Sequence, residues 1–134
     1  MDYCVYISTP KDRGEDRPLT TKLRLTKGRL TGGFLFFPSG PAGLLHFVAR
    51  VGLHQILPVN QDENYRLDDC VVPFSLGIDL NEPPFQIDCI TWNDSNNHAH
   101  ALSVGFFLKP SSRKKFSFDG LKKAFSGTAG YSKP

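Results

Sequence analysis

Eight short β-forming runs, each closed by a turn signal, constrain this chain more than any other feature. They cover residues 3–8, 20–25, 30–37, 44–51, 54–57, 70–76, 85–92 and 99–108. Several alternate with a period of two: Leu23 and Leu25 share one face of their run, and Leu102, Val104, Phe106 and Leu108 share one face of the last. Between the runs stand Lys27-Gly28, Gly52, the loop before Cys70, the proline pair Pro83-Pro84 and the cluster NDSNN at 93–97, all turn or loop formers. Gly32-Gly33 interrupts the third run, where a bulge or bend is expected. No helical periodicity appears before Pro110. Short strands at regular spacing with turns between them make an antiparallel sandwich or barrel. The fold expected is all-β: an antiparallel β-sandwich of about eight strands over residues 1–109. At 134 residues the chain is one domain's worth and can bury one core. The 11 Phe and the single Trp, Trp92, are expected to fill the space between the sheets.

The stretch FPSGPAGLLHF, residues 37–47, raises the question of a phosphate-gripping loop. A Walker loop needs GxxxxGK[ST], and here Gly43 precedes Leu44. A dinucleotide fingerprint opens a helix, whereas this segment opens a β-like run. Its prolines also remove backbone donors. The segment reads as a corner, with Gly40 and Gly43 supplying unusual backbone angles.

Catalytic and metal chemistry find little footing. His98 and His100 are two apart and face the same way on a strand, which makes them candidates to share a metal with His46 or His54; partners at zinc-like spacing are absent. The carboxylates of Asp62-Glu63 and Asp68-Asp69 lie in a polar loop without EF-hand order and read as solvated. No serine sits in GxSxG. Cys4, Cys70 and Cys89 form no CxxC pair, and their apolar flanks read as plain buried thiols. No cofactor and no metal are expected.

Charge is unevenly placed. Of 16 basic and 13 acidic residues, the segment from Pro110 onward holds six of the former and one of the latter, leaving the body mildly acidic. This tail, residues 110–134, reads as a basic, partly helical appendage. Phe118, Leu121 and Phe125 recur at helical spacing as apolar anchors, with Asp119 as N-cap and Gly127 as stop. Arg113, Lys114, Lys115, Lys122 and Lys123 are the candidate contacts to an anionic lipid surface or nucleic acid. The first residues, MDYCVYISTPKDRGEDRP, lack the apolar core of a signal peptide, and no run reaches the length of a membrane span. Synthesis in the cytoplasm is expected.

From Leu23 to Leu108 the chain resembles small single jelly-roll capsid proteins of tailless, membrane-containing double-stranded DNA viruses of bacteria and archaea. The LTKG turn, FPSGPAGLL, the HQILP strand end, the proline pair before a strand and the WND…H…V close carry the resemblance. It implies a jelly roll of two four-stranded sheets. It also implies copies that assemble, alone or with other capsid proteins, into an icosahedral virion shell around an inner membrane, without enzymatic activity. The tail would reach lipid, genome or a neighbouring subunit. A rival reading is a β-sandwich module that binds carbohydrate, with Trp92, Asn93, Asp94 and His98 as a stacking-and-polar patch at a strand end. A nucleic-acid-binding barrel fits less well, because the basic residues lie mostly off the strands.

Overall fold

The inner faces of two four-stranded antiparallel sheets form the core of the protein, whose computed structural model describes residues 1–110. In chain order the strands are β1 (Asp2–Thr9), β2 (Leu19–Arg24), β3 (Gly28–Phe37) and β4 (Leu45–Val51), then β5 (His54–Leu57), β6 (Cys70–Leu80), β7 (Gln86–Asn93) and β8 (His100–Pro110). One sheet has the order β1-β8-β3-β6, the other β2-β7-β4-β5. Strand β1 pairs with β8, β2 with β7, β3 with β6 and β4 with β5. The chain is therefore one long antiparallel hairpin of four strand pairs, wound so that successive pairs alternate between sheets. That is the wiring of a jelly roll.

Alternation places one residue in two toward the interior. Leu35, Phe37, Leu102, Val104 and Phe106 come from one sheet and Leu45, Phe47, Ile87 and Cys89 from the other, all fully buried. Each large side chain so buried contributes about 1.5–3 kcal/mol by leaving water. At one end the core is polar. The Thr9 and Thr91 hydroxyls share a hydrogen bond of 2.8 Å across the two sheets, and no buried side-chain polar atom among the described residues lacks a partner.

The expected irregularity at Gly32-Gly33 is a bulge. Leu30 pairs with Leu108 and Gly32 with Phe107, so Thr31 is the extra residue. Glycine is needed at Gly33, because a Cβ there would collide with the backbone carbonyl of Gly105. Strand β6 runs four residues past its expected end, to Leu80. Beyond Leu76 the ladder continues: Ile78 and Asp79 pair with Leu30 and Arg29, and an Arg29–Asp79 ion pair of 2.7 Å closes that end.

One aromatic expectation is corrected. Trp92 does not sit between the sheets. On β7 the buried residues Ile87, Cys89, Thr91 and Asn93 face inward, which turns Trp92 onto the outer face of β2-β7-β4-β5.

Candidate functional site

Trp92 is covered where it lies. Its cross-strand neighbour His46 stacks on it with ring centroids 4.9 Å apart and planes within 6°. The imidazole is held at both nitrogens. Nε2–H donates to Asp94 Oδ2 at 2.8 Å, and Nδ1 lies 2.7 Å from Asn64 Oδ1. Only 8% of Trp92 remains exposed.

Beside this stack the outer face of the sheet holds a cleft of about 410 Å³. Val48, Ile90 and the edge of Trp92 form its apolar floor, with Thr20 and Arg50 alongside. Glu15 and Pro18, from the β1–β2 loop, form one wall. Asp62, Glu63 and Asn64, from the β5–β6 loop, form the other. Both walls are fixed by hydrogen bonds. Asp12 N–H donates to Ser95 O, and Asn93 N–H to Arg13 O, which ties the first loop to the sheet end. Gln55, buried on the same face, donates through Nε2 to the carbonyls of Pro58, Asn60 and Glu63. Tyr65 and Phe47 exchange backbone hydrogen bonds of 2.9 and 3.0 Å just beyond.

The four residues expected to form a ligand patch are divided between environments. Asn93 is fully buried. Its amide donates to the carbonyls of Thr9, Pro10 and His98, and its Oδ1 accepts from Ser95 N–H. It shapes the loops and offers nothing to a ligand. Trp92, its neighbour in sequence, faces the opposite side of the strand, as period two demands. Asp94 is exposed but committed to His46, and His98 is exposed on the following loop with its ring 6.4 Å from that of His100. His46 and His54 are on the other sheet, and among the described residues no three His, Cys, Asp or Glu side chains converge on a metal position.

The corner at FPSGPAG does cradle an anion, and the anion is the chain's own. Ala42 N–H and Gly40 N–H donate to Asp68 Oδ1 at 2.8 and 2.9 Å. These bonds, the Ala42 one foremost, hold the Asp68 carboxyl below its ordinary value, and the charge of His100 adds to them. Gly40, Ala42 and Gly43 all have positive φ there. Asp68 is thus a partner of the corner rather than a merely solvated loop residue.

The other outer face, on β1-β8-β3-β6, is apolar over its centre. The register aligns Tyr6, Ser103, Phe36 and Val71 in one row across all four strands, and Cys4, Gly105, Phe34 and Pro73 in the next. Neither row contains a charge. Tyr6 is 70% exposed and Val71 58%, with Phe36 and Phe107 also open. Phe34 lies flat across Gly105, where a Cβ would strike its ring. The buried-thiol expectation holds for Cys89, whose thiol burial pushes up to about 12. It does not hold for Cys4, which is exposed on this face, or fully for the half-buried Cys70.

Two signals for these surfaces were present in the sequence. In LHFVAR alternation sets Leu45, Phe47 and Ala49 on one face and His46, Val48 and Arg50 on the other. In FLFF it makes both faces of one strand apolar. The tail residues Arg113, Lys114, Lys115, Phe118, Leu121, Lys122, Lys123 and Phe125 lie outside the described residues. Among the described residues no helix is long and apolar enough to cross a membrane.

The chain matches no family model, no curated protein and no solved structure.

Proposed function

We propose that the protein is a non-enzymatic structural subunit: a jelly-roll capsid protein that assembles with copies of itself, and with other capsid proteins, into a virion shell. The observation that supports this reading is the apolar outer face of β1-β8-β3-β6. Its two central rows carry Tyr6, Phe36, Val71, Phe34 and Pro73 without a charge, whereas a solvated antiparallel sheet alternates apolar with polar residues. Burying a charge in a contact between copies carries a desolvation cost unless an opposite charge meets it there. An uncharged apolar patch escapes that penalty, and charges stand only toward one end, at Asp2, Arg29, Asp79 and Lys109. In this reading the basic tail, through Arg113, Lys114, Lys115, Lys122 and Lys123, adds an electrostatic contact to inner membrane, genome or a neighbouring subunit.

Light scattering of the full-length protein over a range of concentration and salt tests the reading. Multimers are expected, and they persist as salt rises, because burial of apolar surface is not screened as exposed charge contacts are. Phe36→Asp combined with Val71→Asp alters two exposed positions. It leaves the thermal transition near that of the parent and weakens association at least about tenfold. A monomer at every concentration, or association unchanged in the double variant, removes self-assembly through this face.

A further inference from the structure

The second outer face carries an inference that does not depend on assembly. Its cleft is built rather than incidental: Gln55 and Asn64 fix one wall and the Arg13–Asn93 bridge fixes the other. A ligand entering it pays little to order the loops. The volume of about 410 Å³ is in the range of small-molecule sites.

The lining selects the ligand. Glu15, Asp62 and Glu63 are acceptors, and Arg50 is a donor. Among the described residues, none of these four side chains is taken up in an ion pair. The carboxylates stand on opposite walls and do not converge on one point, so a single cation cannot satisfy them together. An anion meets three like charges. A neutral molecule ringed with hydroxyls, each both donor and acceptor, satisfies carboxylates and guanidinium at once. Val48, Ile90 and the edge of Trp92 then receive its C–H face. We propose that the cleft between the β1–β2 and β5–β6 loops binds a neutral saccharide, one or two rings long. Glu15, Asp62 and Glu63 accept from its hydroxyls, and Arg50 donates to them.

Trp92 is the only tryptophan in the chain, so its fluorescence reports the cleft whether the protein is single or assembled. Full-length protein is titrated with glucose, galactose, mannose, N-acetylglucosamine and their homodisaccharides, with calorimetry in parallel. Inorganic phosphate and propylamine are the charged controls. A saturable response to at least one saccharide, and to neither control, is expected. Arg50→Ala and Glu63→Gln, both at exposed positions, each weaken that response about tenfold while leaving the unliganded spectrum unchanged. The proposal is overturned if no saccharide binds, if phosphate or propylamine is preferred, or if both variants bind like the parent. Mass and fluorescence are separate readouts, so loss of saccharide binding leaves the assembly reading standing, and the reverse.

Discussion

The two sheets bury their inner faces alike and part company on the outer ones. On β2-β7-β4-β5 the outward positions are Thr20, Lys22, Arg24, Gln86, Asp88 and Arg50, interrupted by an apolar strip that two loops partly roof. On β1-β8-β3-β6 the outward positions of the two central rows are aromatic, aliphatic or small, charges stand only toward one end, and among the described residues no loop covers the central rows. The difference teaches how to read alternation. A strand such as KLR, apolar on one side only, needs one partner, the core. A strand such as FLFF, apolar on both sides, has a second face that none of the described residues covers. In an antiparallel sheet that surplus is a signal in its own right.

The comparison breaks most severely at Asn93. Its buried amide joins the ends of β1, β7 and the loop before β8. Asn93→Ala leaves several backbone groups without partners and is expected to cost about 3 kcal/mol in denaturant unfolding. The damage should be one-sided: Trp92 fluorescence changes, while amide exchange at Tyr6 and Phe36 stays protected. Equal loss on both faces would mean that the polar end of the core supports the whole sandwich.

Cysteine chemistry sharpens the contrast without altering the fold. Cys4 is exposed on the apolar face, and Cys89 is buried with its thiol held protonated to about 12 by desolvation, with Asp88 adding to it. Iodoacetamide near neutral pH is expected to label Cys4 and spare Cys89. If copies meet on the apolar face, labelling of Cys4 slows as protein concentration rises. Labelling independent of concentration, in a sample that has associated, would place the interface elsewhere.

The smallest expected effect is at Asp68, in the loop before β6. Its folded-state pKa is depressed by the Ala42 and Gly40 hydrogen bonds. A depressed carboxyl contributes stability that is fully present above its unfolded value and is lost as pH falls through the folded one. Exchange of the Gly40 and Ala42 amides should therefore accelerate only below the ordinary carboxylate value of 3.8. Asp68→Asn should give the faster rate already at neutral pH. Protection in Asp68→Asn equal to that of the parent would show that the corner holds itself.

Much of the fold was legible because it depends on local rules. All eight runs are strands, and most boundaries agree within two residues. The largest discrepancy, at Gly77–Leu80, arises where cross-strand pairing with Arg29 and Leu30 extends the strand beyond its locally apolar run. The sites were less legible. Trp92, Asn93, Asp94 and His98 looked like one patch because they are close in sequence, yet consecutive strand residues point to opposite sides. Arg50, Glu15 and Glu63 carried no motif, since three separate segments bring them to one cleft.

By itself, then, the sequence determined which residues are strands, where the chain turns, and which side of each strand is apolar. Propensity and period-two alternation act over a few neighbours, so those properties need no knowledge of the rest of the chain. Tertiary structure alone decided that β1 lies beside β8 and β3 beside β6, and hence that Tyr6, Phe36 and Val71 form one row. It also decided that the FPSGPAG corner closes on Asp68 and that His46 shields Trp92. Each of these joins residues tens of positions apart, and only burial of a common core selects among the pairings that local pattern permits.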